Sequence, residues 1–211
     1  MNLRPLAGVL ALSLIGAAGA AAPAQAAPAQ KAPGEVSLVE VLAADGTKLD
    51  RNWEDFDIVE KAALTVLGAK PTSAVGVLAD GSVRLTAFVP TDRAFRRLVH
   101  DLTGKTLSSE KKVFDAVATL GVDTIETVLL YHVVPGATIT AKKALAADGA
   151  KLKTAQGGNI RVDVRQGSHI FLLDKDPDDL NPRVKAGLAD VNKGNKQIAH
   201  GINRVLRPVD L

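Results

Sequence analysis

Hydrophobic residues in the first two thirds of the chain recur every three to four positions, the spacing that predicts amphipathic helices. Segments with this spacing are predicted as helices and cover residues 36–42, 53–67, 91–102, 108–120 and 123–134. Residues 83–89 instead carry an apolar residue at every second position and predict a β-strand, which Pro90 ends.

After residue 138, short apolar runs of strand length replace the helical spacing. These predicted strands cover residues 151–154, 160–165, 170–173 and 198–206. Gly-containing turns and an acidic turn at 174–179 separate them. Because helices come first and strands mostly later, the sequence predicts the α+β class rather than an alternating parallel sheet.

The junction between the first predicted strand and the next helix is set by three consecutive residues. Pro90 ends the strand, Thr91 is a favourable N-cap, and Asp92 suits the positive end of a helix. We therefore expect the Thr91 hydroxyl to cap this helix, an interaction worth about 1 kcal/mol. Ser108 or Ser109 is expected to cap the helix that follows.

The first 26 residues have the pattern of a secretory signal peptide. Arg4 supplies the positive start, and residues 6–22 are apolar and small. Ala24 and Ala26 are the small residues that a signal-peptidase site requires. The apolar run is too short and too rich in Ala and Gly for a mature membrane span, which needs about 20 strongly apolar residues. The sequence therefore predicts a cleaved signal peptide at 1–26.

The rest of the chain is predicted to be a flexible lead-in at 27–35 and one domain at 36–211. No later apolar run reaches membrane-spanning length, so we expect a secreted protein without a stable membrane anchor.

The chain has no Cys, which excludes disulfides, thiolate zinc sites and a cysteine nucleophile. Its net charge is only +3, aromatic residues make up 3%, and its basic pairs are dispersed, so nucleic acid is not an expected partner.

The chain departs from the known catalytic and metal-binding motifs at the positions that define them. Ser168 precedes His169, but neighbours in a strand point to opposite faces, and no Gly-x-Ser-x-Gly occurs. No two His have the i, i+4 spacing of a helical metal site. The turn at 174–179 matches the first acidic positions of a calcium loop, but Asp179 replaces its Gly and Lys185 its final Glu. The sequence therefore predicts a solvated acidic turn, which leaves weak, non-specific cation binding open, and no metal site, no cofactor and no enzymatic activity.

Three segments, in this order, resemble the signature segments of the fasciclin (FAS1) family. Residues 86–95 (TAFVPTDRAF) are similar to its first signature, residues 128–136 (VLLYHVVPG) to its central Tyr-His segment, and residues 198–208 (IAHGINRVLRP) to its C-terminal signature. Gly201 and Asn203 depart from that pattern, which usually has an apolar residue and an Asp there. The chain resembles small secreted bacterial members with a single domain.

The resemblance implies both a fold and a function. The expected fold is a FAS1-like twisted β-sandwich or wedge with packed α-helices. The expected function is that of a monomeric, non-catalytic adhesion or matrix-interaction module, which binds an extracellular protein, polysaccharide or lipid at the cell surface or envelope. Two alternatives stay open: a carrier of an apolar small ligand, such as a carotenoid or lipid, and a hydrolase.

Tyr131 and His132 are the candidate partner-binding residues, and two interpretations apply to them. Family members that bind integrins have had this segment proposed as an adhesion determinant, so the resemblance implies contact with a partner. However, His132 continues an apolar helix face with Ile125 and Leu129. This spacing favours a buried structural pair, in which the Tyr131 hydroxyl is the hydrogen-bond partner of a neutral imidazole.

We predict that the secreted protein begins at Ala27. Cleavage after Ala26 has small residues at both recognition positions, whereas cleavage after Ala22 would place Pro23 next to the cut bond. N-terminal sequencing of exported material tests this prediction. Exported protein that still begins at Met1 would contradict it.

Overall fold

Six α-helices and six β-strands make up the part of the chain that the computed structural model describes, residues 32, 34–46 and 48–209. The helices are α1 (Leu38–Leu42), α2 (Asp57–Ala69), α3 (Asp92–Thr103), α4 (Glu110–Ala118), α5 (Val122–Tyr131) and α6 (Ala141–Leu145). The strands are β1 (Leu85–Pro90), β2 (Val133–Pro135), β3 (Lys151–Lys153), β4 (Asn159–Arg165), β5 (His169–Leu173) and β6 (Gln197–Ile202). Short 3-10 helices lie at Ala43–Asp45, Ala74–Ala79 and Ala186–Leu188. The predicted signal peptide at 1–26, its cleavage site and most of the lead-in at 27–35 lie outside the described residues.

The strands form two three-stranded sheets. In the first sheet, β1 is central and runs antiparallel to β2 and parallel to β6. The second sheet is the antiparallel series β3-β4-β5. Five of the six described helices precede most of the strands, and the predicted α+β class is confirmed. None of these helices has the length and hydropathy that crossing a membrane requires.

Strand β1 is buried at all six of its residues. Leu85, Ala87 and Val89 belong to a core that is built mainly by α1 to α5. Phe88 belongs to a second core, in which residues of both sheets pack together. The alternation along β1 therefore separates two cores, rather than a core from solvent. Thr86 remains satisfied inside, because its hydroxyl makes two hydrogen bonds to the backbone.

Two predicted boundaries in the signature segments differ from the observed ones. Helix α5 ends at Tyr131, and residues 133–135 leave it to form β2, where Val134 pairs with Thr86 of β1. Two consecutive β-branched valines favour a strand over a further helical turn. Strand β6 likewise ends at Ile202, four residues before the predicted end.

Helix α2 begins at Asp57 rather than at Trp53, because the preceding residues are bound to the start of α3. The carbonyl of Trp53 accepts a hydrogen bond from the amide of Arg93 at 2.9 Å. The carbonyl of Asp55 accepts one from the amide of Asp92 at 3.0 Å. These two bonds hold the segment before α2 against the N-terminus of α3.

Thr91 occupies the N-cap position of α3, but its hydroxyl does not cap the helix. Its backbone carbonyl accepts hydrogen bonds from the amides of Ala94 and Phe95, at 2.8 and 3.3 Å. The buried hydroxyl itself has no hydrogen-bond partner in the described part of the chain. The predicted Thr91 cap is therefore wrong. The alternative cap of α4 is confirmed, since Ser109 Oγ accepts from the amide of Lys112 at 3.4 Å.

We predict that Thr91→Val preserves the free energy of unfolding or raises it by up to about 1 kcal/mol, because it replaces an unsatisfied buried hydroxyl by a methyl group of similar shape. Ser109→Ala is the matched comparison, and loss of its cap should lower that free energy by about 1 kcal/mol. Urea denaturation of both variants measures the two changes. If Thr91→Val lowers the free energy of unfolding by about 1 kcal/mol, the Thr91 hydroxyl does cap α3.

Candidate functional site

Tyr131 is the last residue of α5, and 0% of it is exposed. Its ring packs in the second core with Phe88 and Ile160. Its hydroxyl donates a hydrogen bond to the carbonyl of Asn159 at 2.8 Å, which joins the end of α5 to the start of β4. Burial raises the pKa of Tyr131 to about 12, so the hydroxyl stays protonated and remains a donor.

His132 follows Tyr131 as the C-cap residue of α5 and is 5% exposed. Its Nδ1 lies 2.7 Å from the carbonyl oxygen of Val128, and the amide of Leu206 donates to its Nε2 at 2.9 Å. A carbonyl can only accept and an amide can only donate, so these partners assign the neutral tautomer with its proton on Nδ1. Burial lowers the pKa of His132 to about 4, which keeps the ring in that neutral form.

Tyr131 and His132 do not hydrogen-bond to each other, so the predicted pairing of the Tyr131 hydroxyl with the imidazole is wrong. Each side chain is bonded to backbone groups, Tyr131 to Asn159 and His132 to Val128 and Leu206. The bonds to Asn159 and Leu206 join the end of α5 to segments that are 28 and 74 residues away along the chain. Both side chains lie in the interior, where a partner protein could reach the Tyr131 ring only by opening the core.

His200 has a corresponding place in the C-terminal signature segment. It is buried in β6, with its Nε2 2.7 Å from the carbonyl oxygen of Ile139 and its Nδ1 accepting from the amide of Asp190 at 3.2 Å. Its ring stacks on Phe88 of β1, with 5.8 Å between the ring centroids. Burial lowers the pKa of His200 as well. Two buried imidazoles thus connect backbone segments on either side of β1.

The two departures from the family pattern have local structural reasons. A Cβ at Gly201 would lie 2.5 Å from the Cβ of Leu188, so the close packing of Leu188 requires glycine there. Asn203 Oδ1 accepts a hydrogen bond from the amide of Arg183 at 2.7 Å. Its carboxamide thus fills an acceptor role that an Asp could also fill.

An apolar cleft of about 190 Å³ opens beside His132, between α1, α2 and β1. Apolar side chains form nearly all of its lining, among them Val39, Leu42, Ala63, Leu64, Leu67 and Leu78. Leu64 on α2 is 56% exposed and gives the cleft an apolar surface in contact with solvent. The sequence did not reveal this cleft, because its residues have the same spacing as those of an ordinary core face.

The pair Ser168 and His169 lies at the exposed turn that leads into β5. The two side chains approach each other, with 3.4 Å between Ser168 Oγ and His169 Nδ1, contrary to the prediction that they point apart. Among the described residues, no carboxylate hydrogen-bonds to His169. The pair therefore lacks the orienting group of a catalytic triad.

The acidic turn at 174–179 is not the solvated turn that we predicted. The guanidinium of Arg207 donates to Asp176 at 2.8 Å and pairs with Asp179 at 3.2 Å, and both Arg207 and Asp176 are buried. Arg204 forms another ion pair with Asp179 at 3.0 Å. Arginine side chains thus occupy the place that a calcium ion would need among these carboxylates.

Oxygen ligands that could hold a metal converge at a different place. One carboxylate oxygen from each of Asp55, Asp92 and Glu110 lies within 4.8 Å of the other two. Asp50 and Asp57 group around Asp55 in the same way. Sequence reasoning missed this cluster because its members come from three separate segments and form no motif.

We predict that His132→Ala lowers the free energy of unfolding by about 2–4 kcal/mol at neutral pH. The substitution leaves a cavity and removes the partners of the Leu206 amide and the Val128 carbonyl. His100→Ala, at an exposed histidine of α3, is the control and should change stability little. Chemical denaturation at pH 7 measures both variants, and equal stability of the two would contradict a structural role for His132.

The cost of His132→Ala should also depend on pH. The folded-state pKa of about 4 lies below the unfolded value of 6.5, so the neutral ring contributes fully above pH 6.5 and its contribution is lost as the pH falls toward 4. The gap in stability between wild type and His132→Ala should narrow by about 3 kcal/mol across that range. Denaturation curves between these pH values test the prediction, and a gap that does not change with pH would contradict it.

Comparison with known proteins adds an independent finding. The family model of the fasciclin domain matches residues 64–208. No curated protein matches the chain. The matching solved structures include a FAS1 domain pair from the insect cell adhesion molecule Fasciclin I. The sequence identity to that structure is 19% and the TM-score is 0.49. The match covers 75% of this chain and 48% of that chain. This chain therefore spans about half the length of that one.

The fasciclin family is known for adhesion-related modules, and its domains typically occur in extracellular or secreted proteins. The matched region covers more than half of the chain and contains all three signature segments, with both buried histidines. This chain therefore belongs to the fasciclin domain family.

Proposed function

We propose that the protein is a secreted, monomeric and non-catalytic interaction module that binds an apolar side chain of an extracellular partner protein in the cleft between α1, α2 and β1. The cleft is the observation that carries this proposal, because it brings apolar lining and solvent access together at one place. Contiguous apolar surface of this kind is typical of interaction sites.

The size of the cleft favours a protein side chain over a small molecule as its occupant. Its volume of about 190 Å³ is smaller than the roughly 300–1,000 Å³ of typical small-molecule sites. It suits one or two apolar side chains, and buried apolar anchors supply much of the binding energy in protein interfaces. The exposed Leu64 extends the apolar contact outward along α2.

The chemistry of the lining supports a non-catalytic role. Glu60 and His132 are its ionisable residues, and the described residues that line it include no Ser, Thr, Lys or Cys. Both ring nitrogens of His132 are already bonded to backbone groups, so the ring cannot accept a proton without losing the Leu206 amide. On this proposal, Tyr131 and His132 support the wall of the cleft, and the partner does not contact Tyr131.

A carrier of an apolar small ligand is the second candidate, because the same lining would accept a short acyl or isoprenoid segment. A long carotenoid would need a larger space than the cleft provides. Native mass spectrometry of the purified protein distinguishes the two, since a carrier would retain a lipid or pigment. Turnover in a general hydrolysis screen would contradict both candidates.

We predict that Leu64→Asp abolishes capture of the partner by immobilised protein, because it places a charge at an apolar contact. Stability should change little, since Leu64 is largely exposed. Leu180→Asp is the matched control, at a leucine that is 69% exposed and lies outside the cleft.

The measurement compares the secreted and envelope proteins that wild type and the two variants capture, identified by mass spectrometry. The proposal expects a protein that wild type and Leu180→Asp retain and that Leu64→Asp loses. If every specifically captured protein also binds Leu64→Asp, the cleft is not the binding site.

A further inference from the structure

A buried carboxylate cluster lies where the starts of three helices meet. Asp92 is the first residue of α3, Glu110 is the first residue of α4, and Asp55 lies two residues before α2. One carboxylate oxygen from each of these three residues lies within 4.8 Å of the other two. We call these residues the carboxylate cluster.

Two members of the cluster, Asp92 and Glu110, are buried and have carboxylate oxygens that no donor of the described residues reaches. Asp92 and Glu110 are both 0% exposed. Asp92 Oδ1 accepts from the amide of Ile58 at 3.0 Å, but its Oδ2 has no hydrogen-bond partner in the described part of the chain. Neither oxygen of Glu110 has a partner of good hydrogen-bond geometry among the described residues, although the backbone of Asp50 lies near enough to oppose the rise in the pKa of Glu110. Buried polar atoms without partners are rare, and a bound ion is one explanation when several carboxylate oxygens converge.

A fourth carboxylate lies close to the cluster. Asp57 is also buried and lies beside Asp55. Burial, together with the neighbouring carboxylates, raises the pKa of Asp92 to about 9 and that of Glu110 to about 7.

We propose that the carboxylate cluster binds one calcium ion, with Asp55, Asp92 and Glu110 as ligands and with Asp57 and Asp50 at its solvent side. Calcium takes six to eight oxygen ligands in flexible geometry at about 2.3–2.6 Å, which allows ligand oxygens to lie up to roughly 5 Å apart. One oxygen of each cluster residue lies within this distance of the other two.

An ion can reach this site from solvent. Asp50, Asp55 and Asp57 line an open surface pocket together with Lys48 and Asn52. Asp50 is exposed, so the acidic side chains form a path from the surface to the buried oxygens. A bound ion would join the segment before α2 to the first turns of α3 and α4.

The proposal is tested by titrating the purified, EGTA-treated protein with CaCl2 up to about 10 mM, above the 0.1–1 mM range of weak extracellular calcium sites. Thermal unfolding should shift upward with calcium. At 100 times the dissociation constant, the equilibrium constant for unfolding should fall about 100-fold. The absence of any shift would overturn the proposal.

Terbium supplies a readout that does not depend on stability. Trp53 is the only Trp of the chain and lies two residues from Asp55, with its carbonyl bonded to the amide of Arg93 next to Asp92. Excitation of Trp53 should therefore sensitise Tb³⁺ emission, and calcium should displace it with a stoichiometry of one. Absent emission, or emission that calcium does not displace, would overturn the proposal.

Two variants locate the site. Glu110→Gln keeps the side-chain shape and removes a buried charge, so it should stay folded and lose the calcium shift. Asp50→Asn changes an exposed position, so the variant should stay folded and bind calcium several-fold more weakly. Calcium responses that persist unchanged in both variants would overturn the proposal.

Two matched controls complete the design. Asp115→Asn removes an exposed carboxylate elsewhere on α4, and Asp178→Asn removes one from the acidic turn at 174–179. Both should respond to calcium as wild type does. Loss of the response in Asp178→Asn alone would assign calcium to the acidic turn and overturn the proposal.

Discussion

The burial of β1 on both faces is the constraint on which the rest of the structure depends. A strand between two cores has no water to satisfy the polar groups around it, so the protein must supply every partner. Gln197 of β6 shows how this is done, because its side chain accepts from the amide of Leu38 and donates to the carbonyls of Val77 and Asp80. One buried carboxamide thus fixes two segments, α1 and the 3-10 helix at Ala74–Ala79, against the central sheet.

Tyr131, His132 and His200 follow the same principle. Each is buried and uses its polar atoms to bond backbone groups of other segments. The signature segments of this domain are therefore, in this chain, the residues that hold the central sheet in place. This arrangement directs the search for a partner away from the Tyr-His segment and toward the apolar cleft beside it.

The sequence predicted what depends on local pattern. The presence of α1 to α5, the strand β1 and the α+β class follow from periodicity, and the three signature segments identified the family, whereas the short helix α6 was not predicted. What it missed depends on contacts between distant residues. The amide of Leu206 is 74 residues from His132, and nothing near Tyr131 in sequence indicates Asn159 as its partner.

The dependence on contacts between distant residues also explains why the environment of the acidic residues was not predicted. A run of carboxylates at 174–179 looked solvated, because Arg207, which neutralises it, is about thirty residues away. The carboxylate cluster escaped notice because Asp55, Asp92 and Glu110 each begin or precede a helix, where an acidic residue has an ordinary explanation. Only the packing of α2, α3 and α4 brings the three together.

The central claim is that His132 is a neutral imidazole that bonds two backbone segments beside β1. Nitrogen-15 NMR of the labelled histidine ring measures this directly, because it reports the protonation of each ring nitrogen. The account predicts that Nδ1 carries the proton and that Nε2 stays unprotonated down to about pH 5, since burial lowers the pKa of His132 to about 4. A ring that gains its second proton near pH 6.5, as a free imidazole does, would contradict it.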